Sequence, residues 1–241
     1  MYRFFEDQSS VVNNEIILSK DNSHHIKVLR IKDDEKFEVV VDGVVYLVKL
    51  LEKDKNNSSC VILSQKKDEN ESNIKINLYQ GLAKSDKLEW IIQKCTELGI
   101  NTITPFTSSR TIVKWDGKKE KKKLTRYHDI AESAAKQSKR SIIPTVKASL
   151  TFNEMARDLE GKFVIVAYEN RGYSLKEVLT KNSLSEVNIV IGPEGGFSEE
   201  EIEKLESISA HIVNLGNRIL RTETAAMALT AMIQYESGDI N

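Results

Sequence analysis

Asn188-Ile189-Val190-Ile191-Gly192-Pro193-Glu194-Gly195-Gly196-Phe197 decides how the carboxyl-terminal half folds. A short apolar run predicts a strand over 188–192, and three glycines between 192 and 196, beside Pro193, predict a rigid turn with exposed backbone N–H and C=O groups. The turn is neither a Walker loop, since no Lys-Ser/Thr follows it, nor a Rossmann fingerprint. Such backbone can hydrogen-bond the edge of an adenine; a tight strand-to-helix turn without a ligand is the plainer reading. A second stretch shifts the balance. A strand over 211–215 leads into Leu215-Gly216-Asn217-Arg218-Ile219-Leu220-Arg221-Thr222-Glu223-Thr224-Ala225. Two arginines stand there beside two exposed apolar residues, ahead of a helix capped by Thr222. Ile219 and Leu220 can sandwich a flat ring while Arg221 reaches a phosphate or carboxylate.

Working outward, further apolar strands are expected at 74–80, 102–106 and 163–168. Leu88, Ile91, Ile92, Cys95 and Leu98 form one helical stripe stopped by Gly99. Ser198-Glu199-Glu200-Glu201 is a capping box. A last helix over 222–235 puts Ala225, Leu229 and Met232 on one side. Strands alternating with helices imply an α/β fold, a mostly parallel sheet with helices on both faces. Ligands of such sheets bind outside the carboxyl ends of the strands, where both glycine turns fall.

Residues 1–66 read differently. Strands are expected at 15–18, 36–41, 44–51 and 59–63, with a hairpin at Asp42-Gly43 and one helix over 22–30. This is a small β-rich domain. Residues 67–73, polar and charged, are expected to link it to a second domain over 74–241.

Composition is that of an ordinary globular protein, 40% apolar and 29% charged over 241 residues. No apolar run approaches the roughly 18–20 residues that span a bilayer. Met1 to Ser10 carry Glu6 and Asp7 and lack the basic and apolar regions of a signal peptide. Cys60 and Cys95 are too few for a disulfide framework or a metal cluster. The expectation is a cytoplasmic protein with no membrane segment and no metal. The net charge of −1 hides an asymmetry: residues 110–147 hold twelve basic and four acidic side chains, while residues 148–241 hold eight and fifteen. A basic block in an acidic chain suits phosphate, although a lysine run such as 118–123 is also an ordinary solvated face.

The paired carboxyl-terminal loops resemble the signature of the RsmE family, ribosomal RNA small-subunit methyltransferases acting on uridine N3, within the SPOUT superfamily. The likeness extends to Arg3-Phe4-Phe5, His25-Ile26-x-Val28-Leu29-Arg30, Lys84, Glu97-Leu98-Gly99, Gln137-Ser138, Arg140 and Pro144. It implies a SPOUT-type sheet with a trefoil knot near Gly192 and Gly216, preceded by a PUA-like β-barrel, and a homodimer. Knots are nearly absent among folds, and periodicity alone proposes none. The resemblance implies methyl transfer from S-adenosyl-L-methionine to 16S rRNA, free or in the small ribosomal subunit. The cofactor pocket it implies comprises Tyr168, Glu169, Ile191, Gly192, Pro193, Glu194, Gly195, Gly196, Leu215, Gly216, Ile219, Leu220, Arg221, Thr224 and Ala225. RNA would meet Arg3, Arg30, Arg110, Lys114, Arg126, Lys139 and Arg140, with Trp115 either stacking on a base or anchoring a loop.

Uracil N3 must lose its proton before it attacks a methyl carbon, so the enzyme supplies mainly positioning and electrostatics. Arg221 is the candidate to stabilise the uracil anion, with phosphate binding as its alternative. Glu194 and Glu223 are candidate general bases or cofactor partners. His24, His25, His128 and His211 are assigned structural or RNA-contact roles. Two other readings stand beside this one: a SPOUT methyltransferase of ribose 2′-OH, and a non-catalytic RNA-binding assembly protein. Titration with S-adenosylmethionine separates the last from the enzymes.

Overall fold

A computed structural model of the chain describes residues 1–67, 70–112, 117–180 and 184–240. Lys114 and Trp115 lie outside them. The described chain divides into two compact units, one of Met1–Glu71 with Ala135–Ile142, the other of Ser72–Ala134 with Ile143–Asn241.

In the first unit, Asp42 and Gly43 both adopt positive φ, 48° and 77°, the conformation a two-residue hairpin turn requires. They join β4 (Lys36–Val41) to β5 (Val44–Glu52), preceded by β1 (Arg3–Glu6), β2 (Val11–Val12), β3 (Glu15–Ile17) and α1 (Lys20–Val28), and followed by β6 (Ser59–Lys67). The sheet order is β1-β4-β5-β6-β3-β2, antiparallel except for β1 against β4. Phe4, Ile16, Ile26, Phe37, Val39, Val48 and Cys60 form its core. The β6 strand outruns its expected end because Lys66 and Lys67 pair with Val45 and Val44. Polar side chains stop no ladder when they face outward, so the expected linker begins inside a strand.

Residues 135–142 return to this unit through buried charge. Arg3 is 4% exposed; its Nε donates to Glu38 Oε2 at 3.0 Å and its Nη1 to the carbonyls of Lys139 and Arg140. Lys139 Nζ lies 3.2 Å from the same Glu38 oxygen. Burial works against the Glu38 charge, but the two cations outweigh it and hold its carboxyl below the usual range. Arg140, also 4% exposed, pairs with Glu71 at 2.7 Å. Arg3, Lys139 and Arg140, expected to meet RNA, thus hold the unit together, and of the three Lys139 keeps a partly exposed side chain.

The second unit contains β7 (Lys75–Gly81), α2 (Ser85–Glu97), β8 (Thr102–Thr107), α3 (Gly117–Ser138, its last turn counted with the first unit), β9 (Thr145–Val146), β10 (Leu150–Thr151), α4 (Phe152–Leu159), β11 (Val164–Ala167), β12 (Tyr173–Ser174), α5 (Leu175–Thr180), β13 (Glu186–Ile191), α6 (Glu199–Ser207), β14 (His211–Asn214) and α7 (Thr222–Glu236). The order is β10-β8-β7-β13-β11-β14-β12, with β9 also on β8, and every ladder among the described residues is parallel. Both faces are covered, which is why the strands read as continuous apolar runs. Ile76, Leu78, Ile165, Ile189 and Val213 pack with residues of α2, α3, α5 and α7; Tyr79, Val164, Val166, Val190 and Ile212 turn the other way, toward α4 and α6. The capping box forms at Ser198 and Glu201.

The start of α7 and the segment before it differ from expectation. Its N-cap is Arg221, without a side-chain cap bond, and not Thr222. Of the three residues expected on one side of this helix, Ala225 and Leu229 sit in the chain's own core and Met232, 37% exposed, faces outward. Ile219 is 84% exposed, but Leu220 packs against the core instead of standing free beside it. Cys60 and Cys95 are free thiols; burial pushes both up to about 12.

Candidate functional site

The central strands β7, β13, β11 and β14 end at the same edge of the sheet, and the segments that leave them enclose a cleft of about 280 Å³. The contact between two of these ends is unusually close. A Cβ on Gly81, the last residue of β7, would stand 2.2 Å from the nitrogen of Pro193, so only glycine lets the loop after β13 lie against it. Thr222 then ties this loop to α7. Its Oγ1 donates to the Gly192 carbonyl at 2.6 Å and accepts from the buried Gln80 Nε2 at 2.8 Å. The hydroxyl expected to cap a helix joins the two glycine turns instead.

Within the first turn, Gly196 carries positive φ, +68°, and its N–H donates to Pro193 O at 2.9 Å. Gly195 has no such φ. It is held small because a Cβ there would meet Arg110 O at 2.9 Å, and Arg110 Nη1 donates to the Gly195 carbonyl at 3.3 Å. Arg110, expected to meet phosphate, is thus attached to the loop. In the second turn Gly216 adopts φ +108° and its N–H donates to Asn214 Oδ1.

Of the residues singled out from sequence, Glu169, Ile191, Gly192, Pro193, Glu194, Gly196, Ile219, Leu220, Arg221 and Ala225 line the cleft. Tyr168, Leu215 and Gly216 line an adjoining recess of about 60 Å³ that shares Ala167, Glu169, Leu220 and Ala225. Gly195, Glu223 and Thr224 line neither. Lys87, Ala167, Phe197 and Thr222 complete the cleft and were not legible as site residues. For Lys87 a signal existed: it follows within six residues the strand β7 whose carboxyl end abuts β13.

The charges in the cleft differ in how they are engaged. Arg221 is exposed, and its guanidinium has no hydrogen-bond or ion-pair partner among the described residues. Glu194 faces Lys87 Nζ at 3.2 Å and accepts from Lys84 N–H at 3.4 Å. Partial burial opposes its charge, yet its own amide, the Lys84 N–H and the Lys87 ammonium prevail and hold its carboxyl low. Glu194 is thus held ionised, the form in which a carboxylate accepts a proton, with its basicity lowered by these contacts. None of the four histidines lines the cleft. Among the described residues no cluster of three His, Cys, Asp or Glu is arranged to hold a metal, and no helix is long and apolar enough to cross a membrane.

Comparison with known proteins converges on the same part of the chain. A family model described as an RNA methyltransferase domain matches residues 70–234, and one described as an RNA methyltransferase PUA domain matches residues 18–63. The chain is 36% identical over 231 residues to the Ribosomal RNA small subunit methyltransferase E of Bacillus subtilis, covering 92% of this chain and 90% of that protein. It is 34% identical to the protein of that name from Mesomycoplasma hyopneumoniae, covering 95% and 97%. A crystal structure of the Neisseria gonorrhoeae protein of that name, bound to S-adenosyl methionine, superposes with a TM-score of 0.89 at 29% identity over 98% of this chain and 97% of that one. Joined to the two loops that Thr222 holds around one cleft, these matches place the chain in the family of ribosomal RNA small subunit methyltransferase E, the RsmE family.

Proposed function

We propose that the chain transfers a methyl group from S-adenosyl-L-methionine to N3 of a uridine in 16S rRNA. The observation that carries this reading is the single cleft formed by two glycine turns at the carboxyl edge of a parallel sheet, in a chain of this family. The cleft suits the cofactor. Gly192 and Gly196 bring backbone to its wall, Ile219, Leu220 and Ala225 offer apolar surface, and Glu169 offers a carboxylate. Its volume, with the adjoining recess, is on the scale of roughly 300 Å³ at which ligand pockets begin.

When bound, the cofactor supplies an electrophilic methyl on a sulfonium. The chain's own contribution is positioning and charge. Arg221, exposed at the cleft wall and unpaired, stabilises the uracil anion as N3 loses its proton. No histidine lines the cleft, so the candidates to take that proton are the carboxylates of Glu194, which lines it, and Glu223, which meets the same Lys87. The same reading includes three features of the family resemblance: a trefoil knot where the loops at Gly192 and Gly216 pass, a cytoplasmic location, and a homodimer. Support for the dimer comes from Trp90, Met232 and Tyr235, apolar side chains exposed on α2 and α7. RNA affinity comes from Arg30 and the exposed cations of α3.

Calorimetric titration with S-adenosylmethionine, followed by transfer of labelled methyl to small-subunit rRNA and mapping of the modified base, tests the reading. Binding, transfer and a label on uridine N3 are expected. A chain that binds no cofactor, or that labels ribose, overturns it.

A further inference from the structure

Lys87 lies in the first turn of α2 and lines the cleft. Its Nζ is 3.2 Å from Glu194 Oε1 and 3.9 Å from Glu223 Oε2. The two carboxylates come from different segments, the turn after β13 and the first turn of α7. Glu223 Oε2 is buried and has no hydrogen-bond partner, so its charge rests on the ammonium of Lys87. One nitrogen therefore stands between two partly buried anions that would repel each other without it.

We propose that Lys87 is a positioning residue of the methyl-transfer site: its ammonium clamps Glu194 to Glu223 and so holds the glycine turn against the start of α7. The inference rests on reading the cleft as the cofactor site. The groups facing Glu194 are Lys87 and the Lys84 N–H from α2 and the segment before it, and Glu223 from α7; Arg221 and Glu169 line the same cleft. Burial is the largest influence on Glu194 and opposes its charge. Removal of the ammonium leaves that burial and the Glu223 charge to push the Glu194 carboxyl up. The repulsion then vanishes once falling pH protonates Glu194.

The test titrates wild type, Lys87→Met and Lys87→Arg with S-adenosylmethionine and with its neutral product S-adenosylhomocysteine, near pH 7 and near pH 5, the lower value lying close to the ordinary carboxylate range. The two ligands differ by the sulfonium charge, so a displaced wall weakens both, whereas a mere change of field affects chiefly the charged one. Lys87→Met is expected to weaken both by a similar factor of about ten at the higher pH, a change well within calorimetric reach. Much of that loss is regained at the lower pH, and Lys87→Arg stays close to wild type. Equal binding by Lys87→Met and wild type overturns the proposal. So does an effect on the sulfonium ligand alone, or a loss that ignores pH, which would mark the stem of the side chain as packing only. If circular dichroism shows Lys87→Met unfolded, Lys87→Gln replaces it with the same expectations, and binding of both ligands equal to wild type overturns the clamp. A wild-type chain that binds neither ligand sinks the methyltransferase reading itself, and is thereby told apart from an inert Lys87.

Discussion

Arg3 and Arg221 carry the same guanidinium into opposite settings. In the amino-terminal unit Arg3 is buried, with its side chain 1% exposed against a Glu38 side chain 14% exposed, and it also donates to two carbonyls. At the cleft Arg221 is exposed and unpaired among the described residues. Burial of a paired charge makes it part of the fold, because its removal strands the partner away from water. An exposed cation without an anion contributes little to folding and remains available to a ligand. The contrast separates structure from chemistry better than proximity to a motif does, since both arginines lie in family-like stretches.

The largest expected effect is on stability. Arg3→Ala leaves Glu38 facing Lys139 and removes a donor from the Arg140 carbonyl and from the Lys139 carbonyl, which keeps Asn70 Nδ2, at a cost of about 3–5 kcal/mol. Chemical denaturation should show it, with rRNA affinity of the folded protein little changed. The acid side follows from Glu38. Its carboxyl is held low in the folded state, so its contribution is present above the ordinary carboxylate range and is lost as pH falls through the lowered value. Arg3→Ala should move that acid transition to higher pH. Arg221→Ala should do the converse at the cleft: turnover falls by a factor on the order of 10²–10³, as for loss of one oxyanion donor, while the denaturation midpoint stays put. A parallel fall in rRNA affinity would make Arg221 a phosphate anchor and remove its role in the chemistry.

Much of the fold was legible because a parallel sheet covered on both faces leaves apolar runs in the sequence. All five expected strands of the second unit occur, each within two residues at either end. The strands β9, β10 and β12 have two residues apiece, too few for any period to show. Buried charge was illegible for another reason. The partner of Arg140 is Glu71, 69 positions away, and nothing local to either residue announces the other. In the cleft, glycine content marked the turn but not which glycine bears the positive φ; the close approach of Arg110 to Gly195 depends on a remote segment. Thr222 is the same kind of case. Its position before a helix suggested a cap, and only the arrival of Gly192 and Gln80 gives the hydroxyl a different task.

Thr222 therefore offers a smaller test of the same contrast, at a buried group that serves the cleft. Thr222→Val keeps the shape but leaves the Gln80 Nε2 with its bond to the Gly81 carbonyl and without its acceptor at Thr222, and frees the Gly192 carbonyl, a loss of about 1–3 kcal/mol. Cofactor affinity and stability should fall together, unlike in Arg221→Ala, and Thr222→Ser should restore both. Intact cofactor binding in a destabilised Thr222→Val would confine this hydroxyl to folding.

The smallest effect is expected on α3, where the contrast recurs on one surface. Arg126 forms two bonds with Glu89, at 2.6 and 2.7 Å, and that carboxylate in turn is held low by it. Lys121 and Lys122 are exposed in the preceding turn of the same helix. Binding to phosphate releases counterions only to the extent that a cation is not already neutralised, and each contact contributes about 0.7–0.9 to the slope of log affinity against log salt. Arg126→Gln removes a charge whose nearest anion is within the protein, and an exposed pair of this kind contributes little to stability. Its salt slope for rRNA should match that of wild type. Lys121→Gln with Lys122→Gln should flatten the slope by on the order of one unit, with cofactor affinity unchanged. If both variants flatten it equally, pairing with Glu89 does not withhold Arg126 from RNA, and partner counting fails as a guide to this surface. If neither does, α3 is a solvated face and the phosphate contacts lie elsewhere.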